Sequence, residues 1–158
     1  MRVGIGFDIH RLVPGRKCIL GGVEMAHDRG PLAHSDGDVL LHALVDAMLG
    51  AAALGDIGEL FPDTDPAYKD ADSRMFVEKA LHLVKEKSYS VVSVDSVVLA
   101  DALRIGPERE NICQSIADML CLEPEFVSVK GKTLEGLGAI GKGEAIAAQV
   151  VVTLCQNS

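Results

Sequence analysis

The chain has 158 residues, 48% hydrophobic and 24% charged, with a net charge of −8, which suits one domain with its own core. The acidic balance argues against a nucleic-acid partner, which would need a basic face. No apolar run approaches the ~20 residues that span a bilayer. Aromatics make up 4% and Trp is absent, so the core must be built from Val, Leu, Ile, Ala and Met.

In chain order, residues 2–9 (RVGIGFDI) alternate as a strand does. Residues 18–25 carry Gly21-Gly22 between short apolar runs and read as a hairpin or bulge. The turn-rich stretch 27–37 leads into a helix over about 38–53, with Asp36 or Asp38 as its cap. Residues 54–71 hold Gly, two Pro and several Asp, the composition of a long functional loop. Ser73 caps a second helix over about 73–87, residues 89–100 are β-branched and strand-like, and Pro107 starts a third helix over about 107–120. Residues 126–130 and 145–155 read as strands around a Gly-rich stretch. The expected fold is α+β, a single-domain α/β sandwich over 1–158 with a roughly four-stranded sheet and helices on one face. Cys18, Cys113, Cys121 and Cys155 form no C-x-x-C pair, and MRVGIGFDIH opens with charge and Gly in place of an apolar leader. Free thiols and a cytoplasmic location are the expectation.

Asp8 and His10 lie two apart at the end of the first strand, so their side chains share a face. Alone the pair is a common pattern. His42 adds to it from within an apolar helix, where Asp38, His42 and Asp46 are spaced i, i+4, i+8 on one stripe. The spacing by itself also fits a solvated helix edge. If His42 is a ligand, Asp46 is placed to accept its second ring N–H, and Val39, Ala43, Leu44, Ala47 and Met48 turn to the core. Three N and O donors with an open position form the catalytic pattern for zinc. A bound cation also lets an acidic protein handle phosphate. His34 and Ser35 precede the helix, as either a capping loop or a phosphate-binding one. Aspartates in 56–66 suit sugar or polyol hydroxyls, or a metal through water.

The runs F7-D8-I9-H10, L32-A33-H34-S35-D36-G37-D38, H42-A43-L44 and D56-I57-G58-E59-L60-F61-P62-D63-T64-D65 closely resemble the 2-C-methyl-D-erythritol 2,4-cyclodiphosphate synthase family, in register over nearly the whole chain. The resemblance implies a lyase of the non-mevalonate isoprenoid pathway. It converts 4-diphosphocytidyl-2-C-methyl-D-erythritol 2-phosphate to the cyclic diphosphate and CMP. It implies a homotrimer with active sites between subunits. Asp8, His10 and His42 would bind zinc, and His34 and Ser35 would contact the phosphate and methylerythritol, with His34 and Thr133 stabilising the transition state. Asp56, Ile57, Gly58, Phe61, Pro62, Asp63, Thr64 and Asp65 would hold the methylerythritol. Ala100, Asp101, Ala102, Leu103, Arg104, Ile105 and Gly106 would meet the cytidine, together with Lys132 and Thr133 of the neighbouring subunit, and Leu134 would also contact the substrate. Glu135 would hold Mg²⁺ or Mn²⁺ on the diphosphate.

The C-terminal third departs from the family, which commonly reads T-T-T-E-x-L-G-F-x-G-R-G-E. Here Lys132 replaces Thr, Ala139 replaces Phe and Lys142 replaces Arg, and segment 100–106 lacks the Pro often found near 103. In the family Phe7, Glu144 and positions 139 and 142 line an axial cavity for an isoprenoid diphosphate. Loss of an aromatic wall and of the guanidinium fork implies weaker binding there. Two other readings compete: another zinc-dependent phosphohydrolase, in which water attacks, and a non-catalytic trimeric binding protein.

Overall fold

The computed structural model describes residues 1–157. Its main sheet has five strands in the order β4-β1-β7-β5-β6. The four long ones are β1 (Arg2–Pro14), β5 (Tyr89–Leu99), β6 (Val127–Lys132) and β7 (Ala145–Gln156), and the short β4 (Arg29–Pro31) completes the edge beside β1. The expectation of roughly four strands missed β4 because three residues within a turn-rich stretch carry no alternating pattern. The sheet is mixed: β1 and β5 both run antiparallel to β7, while β5 and β6 are parallel. A separate hairpin, β2 (Cys18–Leu20) and β3 (Val23–Met25), turns at Gly21-Gly22, both at positive φ.

Helix α1 (Val39–Ala52) lies against β1 and β7, and α3 (Arg74–Glu86) packs over it. Helix α4 (Arg109–Leu120) covers the β6 side, and its Ile112 and Ile116 join the same core. Two four-residue helices, α2 (Ile57–Leu60) and α5 (Gly138–Gly141), break segments that the sequence presents as loop. Helix α1 is buried on nearly all sides rather than along one apolar stripe. Asp46 and Gly50 are its two residues that escape full burial. A helix held between a sheet and a second helix has no solvated face to mark.

Residues of β1 alternate sharply. Gly4 and Gly6 are buried under α1, whereas Val3, Ile5, Phe7 and Ile9 are 48–66% exposed on the far side of the sheet. The glycines are required by contact. A Cβ at Gly6 would stand 1.9 Å from the Ala43 carbonyl oxygen, and one at Gly4 would stand 2.0 Å from that of Ala47. Backbone of α1 therefore rests directly on backbone of β1.

Gly6→Ala is expected to cost about 1–3 kcal/mol, since the obstacle is backbone that cannot rotate away. Gly50→Ala meets nothing within 4 Å and should add about 0.5–1 kcal/mol of helix propensity. Thermal denaturation of the two variants should move in opposite directions.

Candidate functional site

Helix α1 begins in a dense turn. Asp38 caps it by accepting the Leu41 N–H at 3.0 Å, and reaches back to the β2–β3 turn, where Gly21 and Gly22 N–H donate at 2.9 and 2.7 Å. Burial pushes the Asp38 carboxyl up to about 6, and the three N–H groups limit the rise. Through these three N–H donors the carboxyl anchors the start of the helix to the β2–β3 turn.

One turn later His42 meets the end of β1. Its Nδ1 lies 3.0 Å from Asp8 Oδ2 and 3.2 Å from His10 Nε2, and His10 Nε2 lies 2.8 Å from the same Asp8 oxygen. These are the only three His, Cys, Asp or Glu donors that converge in this way among the described residues. Burial disfavours the Asp8 carboxylate, but hydrogen bonds from, and electrostatic interaction with, His10 and His42 outweigh it and hold its carboxyl well below the usual range. The donor set fits a divalent cation: two imidazole nitrogens and one carboxylate oxygen, with separations slightly under the roughly 3.3 Å edge of a tetrahedron of ligands at ~2.05 Å.

The three residues open into a cavity of about 560 Å³ that His34, Ser35, Ile57, Gly58, Pro62 and Asp63 also line. Phe61, Tyr68 and Phe76 stack against one another with centroids 4.6–5.7 Å apart, and Phe76 lies 6.0 Å from the His42 ring. Half of the chain's Phe and Tyr residues thus form one wall. His34 Nε2 donates to the Asp65 carbonyl at 3.0 Å, and Asp70 N–H donates to the His34 carbonyl at 2.8 Å, which ties the 31–37 turn to the 61–71 loop.

Several aspartates of the loops are occupied with backbone. Asp56 caps α2 through Glu59 N–H, Asp65 accepts Ala67 N–H, and Asp46 accepts Ile57 N–H at 2.8 Å. Asp46 therefore does not orient His42, contrary to the helix-stripe expectation. Burial raises its carboxyl, the Ile57 N–H opposes the rise, and Asp56 and Asp8 add to it. The second nitrogen of His42, Nε2, faces Ser73 Oγ at 2.9 Å and Ser35 Oγ at 3.2 Å. Ser73 also departs from expectation. It stands at the start of α3 but makes no side-chain cap; its hydroxyl donates to Asp36 Oδ1, while Asp72 Oδ1 accepts Arg74 N–H.

Eight of the remaining predicted residues gather at a second cavity of about 480 Å³, which shares no lining residue with the first. Ala100, Asp101, Leu103, Arg104, Ile105, Gly106, Lys132 and Thr133 line it within one chain, so Lys132 and Thr133 meet the 100–106 segment of their own subunit and not, as expected, that of a neighbour, because β6 pairs beside β5. Asp101 accepts Leu134 N–H at 2.6 Å and Gly136 N–H at 3.1 Å, so it shapes the loop after β6. Thr133 Oγ1 donates to Glu135 Oε1 at 2.9 Å, and Glu135 sits at positive φ in that turn. Glu135 lies outside the Asp8 cluster. Thr64, Ala102, Ala139, Lys142 and Glu144 are exposed.

Protein equilibrated with zinc or cobalt and freed of excess ion should retain one ion per chain by elemental analysis. Asp8→Ala and His42→Ala should fall to background while keeping the wild-type circular dichroism. Equal retention by these variants would remove the metal centre from consideration.

The chain is similar to known proteins in sequence and in fold. A 2-C-methyl-D-erythritol 2,4-cyclodiphosphate synthase of Alkaliphilus metalliredigens is 48% identical over 99% of both chains. The bifunctional IspDF of Campylobacter jejuni superposes with a TM-score of 0.95 at 40% identity, over 98% of this chain and 42% of that longer one. IspF of Plasmodium falciparum, solved as a CDP complex, superposes with a TM-score of 0.88 at 36% identity, over 99% of this chain and 97% of its own. With the YgbB family pattern also matching residues 1–155, the chain belongs to the YgbB family, that of the 2-C-methyl-D-erythritol 2,4-cyclodiphosphate synthases.

Proposed function

We infer that this chain, as one domain over 1–158, converts 4-diphosphocytidyl-2-C-methyl-D-erythritol 2-phosphate to 2-C-methyl-D-erythritol 2,4-cyclodiphosphate and CMP. The observation that carries the reading is the convergence of Asp8, His10 and His42 at the mouth of a cavity, in a chain about half identical over its full length to named synthases.

The reaction is intramolecular: an oxygen of the substrate's 2-phosphate attacks the β-phosphorus, and the bond to the CMP oxygen breaks. No protein nucleophile is needed, and catalysis rests on positioning and charge neutralisation. The Asp8, His10 and His42 donors suit zinc, which when bound supplies Lewis-acid polarisation of a phosphate oxygen. His34 and the buried Ser35 line the cavity, where they would receive the phosphate and the methylerythritol. Asp56, Ile57, Gly58 and residues 61–65 hold the polyol, with Asp63 facing the cavity.

The cytidine belongs at the second cavity, lined by Ala100, Asp101 and Leu103 to Gly106, with Lys132 and Thr133 as its cation and hydroxyl. Leu134 follows these residues in the chain, and Glu135 would hold Mg²⁺ or Mn²⁺ on the diphosphate. The homotrimer that the family resemblance implies, with active sites between subunits, is part of the proposal; the separation of the two cavities within one chain supports a site completed by a neighbouring copy. The exposed apolar band Val3, Ile5, Phe7 and Ile9 is the surface that such an assembly would cover. No helix is long and apolar enough to cross a membrane. A cytoplasmic location is part of the proposal.

Incubation of the substrate with protein and Mg²⁺, followed by phosphorus NMR, tests the reaction. The expected products are the cyclic diphosphate and CMP, abolished by a chelator and restored by zinc. Release of inorganic phosphate or an open-chain monophosphate would point to water as nucleophile and overturn the cyclase reading. Light scattering should give three times the mass of the chain, and Ile5→Glu should lower both that mass and the activity.

The axial isoprenoid diphosphate site is proposed to be weak, because Ala139 and Lys142 replace an aromatic and an arginine. Geranyl diphosphate should raise the melting temperature of an A139F/K142R double variant more than that of the parent. Equal shifts would refute the weakening.

A further inference from the structure

Histidine 42 has two ring nitrogens and only one faces the donor cluster. Nδ1 looks towards Asp8 and His10, and Nε2 looks away from them into the protein. For Nδ1 to bind a cation it must present a lone pair, so the neutral ring must carry its proton on Nε2. In the free site Asp8 Oδ2, 3.0 Å from Nδ1, draws the proton to the wrong nitrogen. Something on the far side must reward the other tautomer.

Ser73 is fully buried at that far side. Its Oγ lies 2.9 Å from His42 Nε2, and its single hydroxyl proton is donated to Asp36 Oδ1. With that proton committed, Ser73 can only accept from the ring. Asp36 is itself fixed: Ser73 N–H donates to Oδ2 at 3.0 Å, Asp38 N–H donates to Oδ1 at 3.1 Å, and the Asp36 N–H donates to the Ala71 carbonyl at 3.0 Å. The relay therefore joins the turn before α1 to the start of α3 and meets His42 from the second of these. Ser35 Oγ, 3.2 Å from Nε2 and already accepting Gly37 N–H, is a second and more distant acceptor.

We propose that Ser73, held by Asp36, is a positioning residue that fixes His42 as the Nε2–H tautomer and so delivers Nδ1 to the metal. The inference rests on the reading of Asp8, His10 and His42 as a metal centre. Ser73 touches neither the cation nor substrate and acts through the ring. The nearby carboxylate on the helix stripe, Asp46, is engaged with Ile57 N–H and leaves the role to a serine 31 positions away.

The experiment uses the full chain with ¹⁵N-labelled histidine, loaded with zinc. Long-range ¹H–¹⁵N spectra should show His42 protonated on Nε2 and metal-shifted on Nδ1. Ser73→Ala should bind zinc about 10- to 100-fold more weakly than wild type in competition with a chromophoric chelator, the usual effect of losing a partner to a metal-bound histidine. Its His42 signals should move towards the Nδ1–H tautomer in the metal-free state. Ser73→Thr, which keeps the hydroxyl, should recover most of the affinity.

A folded Ser73→Ala chain that binds zinc within twofold of wild type would overturn the role of Ser73, as would metal on Nε2. If Ser73→Ala does not fold, metal-free wild type decides: His42 carrying its proton on Nε2 supports the role of Ser73, and the Nδ1–H tautomer overturns it. A wild-type chain that takes up no zinc overturns the metal reading itself, an outcome distinct from normal uptake by Ser73→Ala.

Discussion

The close approach of α1 to β1 is the constraint on which the rest depends. Gly4 and Gly6 leave no room for side chains, and Ala43, Ala47 and Ala51 face them from the helix. A helix–sheet contact made through backbone has little freedom to slide or tilt. Two further residues along the same face of β1 come Asp8 and His10, and at the near end of α1 comes His42. The spacing of three donor atoms at 2.8–3.2 Å is inherited from that contact. Precision at the site is a property of a rigid helix and strand, and the loops only complete the cavity around it.

Several of the aspartates around the two cavities serve the backbone. Asp38, Asp46, Asp56, Asp65, Asp72 and Asp101 each accept one or more main-chain N–H groups. They cap helix starts and pin turns, so much of the negative charge near the cavity is directed into the protein. The loops that must present His34, Ser35 and the 61–65 segment are short of regular structure, and these caps hold them in shape.

Much of this was legible in the sequence because it is written locally. Alternation marked β1, the Asp–apolar boundary marked α1, and Gly21-Gly22 marked the hairpin. The metal donors were legible through residue type together with the resemblance of their flanking runs. What was not legible is long-range. The i, i+4 stripe put Asp46 on the edge of His42 but did not reveal that the Ile57 N–H would claim it. The hydroxyl–aspartate start of α3 reads as a cap, yet Ser73 turns away to Asp36 and His42. The edge strand Arg29–Pro31 and the short helix Gly138–Gly141 are too brief to show a period.

Strand β1 carries two messages on alternate residues. Even positions give the helix its seat and then the metal donors, and odd positions give the apolar band on the other side. Deleting or inserting one residue between Gly6 and Asp8 would exchange the two sets beyond that point, turning the carboxylate and imidazole onto the greasy surface and aiming Ile9 into the cavity. The strand is therefore read in a frame of two. Single substitutions on it can be tolerated or not one at a time, but a change of length strikes both faces at once.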